Sequence, residues 1–207
     1  MTYLPSKKVN IGGITYIIYG LLHDHPLISL SKEFKNAINE ELKGHNVICE
    51  DGFVDWISNS ISFNELKHLN LNKFSFFNLI KTLKGYLYNK YIIKSHKTNF
   101  AKQVQRIKTI DDFLIIRKEL LKSYSKEPEG MNFLLLENNN GTLDNSNGKL
   151  PLRVRRYLFE ASESMRYAIS SQLKELIIVV GCAHELPLEY LLSNPDIVKY
   201  HQSLHNI

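Results

Sequence analysis

Leu176-Ile-Ile-Val-Val180, running into Gly181-Cys-Ala-His184, is the stretch from which the fold is read. Five consecutive aliphatic residues ending at a glycine make a buried strand. Outward from it, Ile14-Thr-Tyr-Ile-Ile-Tyr19 is a second β-branched and aromatic run, opening after Gly12-Gly13 and closing at Gly20. Leu30, Phe34, Ala37, Ile38 and Leu42 recur at helical spacing over 29–43, with Ser29 or Ser31 as N-cap and Gly44 as the stop. Val47-Ile-Cys49 follows and ends at Glu50. Strand, helix, strand within about forty residues predicts a βαβ unit, a parallel pair with a crossover helix. A long helix is expected from Pro151 to about Lys174, a short one at 188–193, and a polar tail after it. The expected fold is α/β: a small, mostly parallel sheet flanked by helices, its first and last strands near each other.

At 207 residues the chain fits a single domain, 1–207, and buries a full core without disulfides or a structural metal. Its 43% hydrophobic and 23% charged residues exclude wholesale disorder. No apolar run reaches the ~20 residues of a membrane span. The N-terminal MTYLPSKKVN has no apolar h-region, so no secretory signal is expected. Cys49 and Cys182 are too few for a disulfide scaffold, and a cytoplasmic setting is expected.

Each of the three strands runs into polar residues: Gly20-Leu-Leu-His23, Glu50, and Gly181-Cys-Ala-His184. Functional groups of α/β sheets collect beyond the carboxyl ends of strands. Two Gly-x-x-His turns on neighbouring strands would bring His23 and His184 to one pocket, with Glu50 beside them. Two imidazoles and a carboxylate suit a divalent ion such as manganese, zinc or cobalt, with open positions for water. Without a metal, one histidine serves as general base, oriented by Glu50. His25 precedes Pro26 and reads as a supporting or surface residue. Cys182 stands near His184, but a free cysteine in such a run is more simply a small buried hydrophobe.

Gly20-Leu-Leu-His23, Val-Ile-Cys-Glu50, Glu163-Ser-Met-Arg166-Tyr-Ala168 and Val-Val-Gly181-Cys-Ala-His184-Glu-Leu-Pro occur in that order. Together they resemble the TraB/PrgY family, related to TIKI metalloproteases and more remotely to erythromycin-esterase-like and ChaN-like proteins. The resemblance covers about residues 12–52 and 152–192; the middle, 53–150, is divergent. The family's Glu-Arg pair is adjacent, whereas Glu163 and Arg166 stand three apart, still on one helix face. The resemblance implies a metal-dependent hydrolase acting on peptides or another small substrate. His23 and His184 would bind metal or act as acid and base, Glu50 would be a ligand or activate water, and Arg166 would stabilise charge. As the runner-up it implies a non-enzymatic alternative, a peptide-sequestering regulator of the pheromone-shutdown type.

The charge distribution raises a competing function. From Leu66 to Ile110 there is no Asp or Glu, but there are ten Lys and Arg. Phe74, Phe76, Phe77, Tyr86, Tyr88, Tyr91 and Phe100 interleave with them. Residues 67–108 therefore offer a surface for nucleic acid or an anionic membrane. The simpler reading is a helix whose Phe76, Ile80, Leu83, Leu87 and Tyr91 stripe packs on the sheet, its lysines facing water. A third is a substrate-facing lid. Phe113, Ile116, Leu120 and Tyr124 mark another helix, residues 131–137 fit either a strand or a helix end, and 138–149 read as a loop.

Overall fold

The computed structural model describes residues 4–22, 30–68, 107–124 and 152–205. Strands β1 (Lys7–Ile11), β2 (Ile14–Leu21), β3 (Val47–Cys49), β4 (Ser60–Ser62) and β5 (Glu175–Gly181) form one sheet in the order β1-β2-β5-β3-β4. Only β1 is antiparallel; β2, β5, β3 and β4 pair in parallel. The β1–β2 hairpin turns on Gly12 and Gly13, at φ of 58° and 80°. That left-handed pair makes a tight two-residue connection between Ile11 and Ile14, and L side chains adopt it with strain.

Helices α1 (Lys32–Leu42), α2 (Asp51–Val54), α3 (Phe63–His68), α4 (Ile110–Tyr124), α5 (Leu152–Ser170), α6 (Glu185–Ser193) and α7 (Pro195–His205) cover both faces. The pleat assigns the strand residues to two cores. Ile17, Tyr19, Ile177 and Val179 pack with Phe34 and Ile38 of α1 and Phe113 and Ile116 of α4. Tyr16, Ile18, Ile178 and Val180 pack with Tyr157, Leu158 and Ala161 of α5, Leu188 and Leu191 of α6, and Val198 of α7. A strand buried on both faces has no polar alternation, which explains the continuous apolar run of 176–180.

Local chemistry sets the helix starts. The Phe34 N–H donates to Ser31 Oγ at 3.2 Å, capping α1. Ser62 and Glu65 exchange backbone–side-chain bonds of 3.1 and 2.9 Å ahead of α3, a reciprocal capping box. Thr109 and Asp112 repeat it at α4.

Several sequence expectations change. The strand, helix, strand unit exists, but its strands are not neighbours: β5 lies between β2 and β3. The expected first and last strands, β2 and β5, are directly paired, with Leu21 opposite Gly181. The expected polar tail is α7, whose Val198 is fully buried. The helix expected to Lys174 ends at Ser170, and the short one begins at Glu185. β1 and the three-residue β4 were not anticipated; β1 alternates apolar and polar side chains, and β4 is very short. The Phe76–Tyr91 stripe, residues 131–149 and nearly all of the basic 67–108 segment lie outside the described residues. Among the described residues, no helix is long and apolar enough to cross a membrane.

Candidate metal centre

The parallel register brings the carboxyl ends of β2, β5 and β3 to one edge of the sheet. Among the described residues, two buried polar clusters stand there.

The first contains Glu50, Glu160 and His184. Glu50 follows β3 immediately. Its N–H donates to the Val179 carbonyl of β5 at 3.1 Å, and its Oε2 accepts the Gly181 N–H at 2.5 Å. Both ends of the residue are thereby tied to the neighbouring strand, and Oε1 is turned toward the helix opposite. Glu160 comes from α5, beside Tyr157 and Ala161, which face the sheet. Both carboxylates are 2% exposed. His184 ends a single 3₁₀ turn, Cys182–His184, that continues from β5. Its Nδ1 lies 2.9 Å from Glu160 Oε2, 3.1 Å from Glu160 Oε1 and 3.5 Å from Glu50 Oε1. The Tyr157 ring meets the imidazole edge-on, centroids 4.9 Å apart, and fixes its plane.

Arg156, one helical turn before Glu160, joins the two carboxylates. Its Nε donates to Glu160 Oε1 at 2.9 Å, and its Nη2 pairs with Glu50 Oε1. Burial works to lower the pKa of the guanidinium, but Glu50 and Glu160 outweigh that and raise it, so it is permanently charged. Yet its side chain is 54% exposed, so the cluster meets solvent on this side.

One ligand atom each from Glu50, Glu160 and His184 falls within 4.8 Å of the others. Two carboxylate oxygens and an imidazole nitrogen are the donor set of zinc, manganese and similar divalent ions. The residues present therefore fit a divalent ion.

The second cluster is Arg117 with Glu185. Arg117 belongs to α4 and Glu185 opens α6, so their ion pair joins the two helical layers across the sheet edge. Burial raises the Glu185 pKa, and Arg117 opposes it. Glu185 also explains Gly20: a Cβ there would fall on the Glu185 carboxylate and 3.1 Å from the Cys182 Cα. Cys182 itself points its Sγ at the Gly20 carbonyl, 3.2 Å away. Burial pushes its thiol up to about 12, and that of Cys49 to about 11, which disfavours the thiolate at neutral pH.

Of the residues anticipated from sequence, the structure brings Glu50 and His184 together. His23 and His25 lie outside the described residues. Arg166 is elsewhere: its Nε and Nη2 bind Glu163 at 3.2 and 2.5 Å, a self-contained pair on α5. The guanidinium at Glu50 is instead Arg156, ten residues and ~15 Å earlier along the helix. Sequence reasoning missed Glu160 and Arg156. Their signal was the i, i+4 pair set against the inward Tyr157-Leu158-Ala161 positions, which makes Glu160 a charge on an apolar face. Comparison of the chain with protein-family models, curated proteins and solved structures gives no match in any of the three.

Proposed function

We propose that the chain is a metal-dependent hydrolase centred on Glu50, Glu160 and His184. The observation that carries this reading is the convergence of those three donors at the carboxyl edge of a parallel sheet. When bound, a divalent ion supplies Lewis acidity there, polarising a carbonyl oxygen and acidifying water. The chain's own residues prepare the site. The Gly181 N–H immobilises Glu50 Oε2 and so presents Oε1. Tyr157 holds the His184 ring. Two buried carboxylates concentrate negative charge where a cation is favoured, and their low-dielectric surroundings strengthen that field. His23 is two residues past the Leu21–Gly181 pair and is proposed as a further ligand or base. Peptides are proposed as the substrate because of the resemblance to TraB and TIKI proteins.

The hydrogen bond between His184 and Glu160 favours a second reading, acid–base catalysis without a metal. A carboxylate at Nδ1 orients an imidazole and raises the basicity of Nε2. A purely sequestering regulator would bind peptide and cleave nothing.

The test is cleavage of a mixed peptide library, followed by mass spectrometry, with manganese, zinc or cobalt added or chelator present. The expected result is cleavage that stops with chelator and in His184→Ala and Glu160→Gln. Cleavage indifferent to chelator but lost in both variants supports the dyad. Peptide binding without cleavage in any condition supports the regulator.

A further inference from the structure

We infer that Arg156 is the exchangeable counter-ion of this centre: its guanidinium occupies the cation position between Glu50 and Glu160 and withdraws when a divalent ion binds. The inference rests on the proposed metal reading and adds to it how the site is gated.

Three observations carry it. The first is identity of the oxygens. Glu50 Oε2 already accepts the Gly181 N–H, and the oxygen turned toward the cluster, Oε1, is the one that Arg156 Nη2 holds. Oε1 is also the Glu50 oxygen near His184. On Glu160, Arg156 Nε takes Oε1, one of the two oxygens facing His184. Guanidinium and ion would draw on the same oxygens.

The second is charge. Two carboxylates, each 2% exposed, face one another within the 4.8 Å cluster. Buried like charges this close need a compensating cation or a proton. Among the described residues, Arg156 is the permanently charged group that reaches both.

The third is access to solvent. The carboxylates are buried, but the Arg156 side chain is 54% exposed, so it has solvent to move into. A guanidinium is weakly hydrated and always charged, which suits it to stand in for a metal and then leave. Glu50, pinned to β5 at its backbone and at Oε2, does not follow it out.

The consequence is measurable because the wild type must vacate the site before binding. Apparent affinity is lowered by the fraction of molecules in the vacated state. The experiment titrates Mn²⁺ or Zn²⁺ alone into the full chain by calorimetry, with thermal melts in chelator and in metal. It compares wild type, Arg156→Gln, Arg156→Lys and His184→Ala. Arg156→Gln is expected to melt lower than wild type in chelator, to bind metal on the order of tenfold more tightly, and to gain more Tm on metal addition. Arg156→Lys keeps a cation but loses the fork that reaches both carboxylates, and is expected to fall between wild type and Arg156→Gln. His184→Ala is expected to lose metal binding. Arg156→Gln binding no more tightly than wild type, while His184→Ala loses the metal, would overturn the exchange and leave the metal centre standing. Absence of metal binding in wild type and both Arg156 variants would overturn both. Should Arg156→Gln fail to fold in chelator, its recovery by metal supports the exchange, and failure to recover opposes it.

Discussion

Glu160 and His184 stand 24 residues apart in sequence, on a helix and on the turn that leaves the last strand, and their side chains meet at 2.9 Å. The contact joins α5 to the carboxyl edge of the sheet at the point where Glu50 also arrives. Glu160→Gln is nearly isosteric; it removes the charge and turns one acceptor oxygen into an NH2 donor. It is expected to leave the chain folded and to lower metal affinity on the order of 100-fold, as calorimetry would measure. Glu163→Gln, on the same helix but paired with Arg166, is expected to leave that affinity unchanged.

The second cluster ties α4 to α6. Arg117→Ala leaves the Glu185 carboxylate buried without its cation, at a cost of about 3–5 kcal/mol by urea denaturation. Pairing it with Glu185→Ala removes the stranded charge. The double variant is expected to lose less than the two single losses combined, the mark of a coupled pair.

Gly20→Ala tests the packing between the clusters. Its methyl group would meet the Glu185 carboxylate and approach the Cys182 backbone, which cannot retreat as a flexible side chain can. A loss of about 1–3 kcal/mol is expected, read as a lower midpoint in denaturant.

How much of this was legible in the sequence differs by element. The paired strands β2 and β5 were plain, because burial on both faces leaves a β-branched and aromatic run at 14–19 and an unbroken aliphatic run at 176–180. The order β2-β5-β3 was not, because neighbours in a parallel sheet are set by crossover geometry rather than by adjacency in the chain. β4 has three residues, too few for a period to register. Glu50 and His184 were found because a polar residue directly after an apolar run marks a strand end in the sequence. Glu160 and Arg156 lie inside a helix, where no boundary flags them. The resemblance drew attention to Glu163 and Arg166, which bind each other.

Alkaline pH offers a check on burial. The folded thiols of Cys49 and Cys182 are raised from 9.0 to about 11 and about 12, and the Tyr19 hydroxyl is raised from 10.0 to about 12. Desolvation is the leading cause in each. A raised folded pKa means that the unfolded chain releases its proton first. Stability from these groups is therefore full below about pH 9 and falls as pH rises through the window up to the folded values. Denaturant midpoints are expected to decline over pH 9–11, less steeply in Cys49→Ala/Cys182→Ala. Iodoacetamide at pH 8 is expected to label neither thiol until the chain unfolds.

The most direct test of the metal centre is a crystal structure of the chain soaked in Mn²⁺ or Zn²⁺, with anomalous difference maps collected at the metal edge. The account predicts one strong peak with ligand distances of about 2.0–2.2 Å to Glu50 Oε1, a Glu160 oxygen and a His184 nitrogen, with the Arg156 guanidinium moved off both carboxylates. No peak at these residues at a metal concentration that saturates binding in solution, with Arg156 still bridging Glu50 and Glu160, would contradict it.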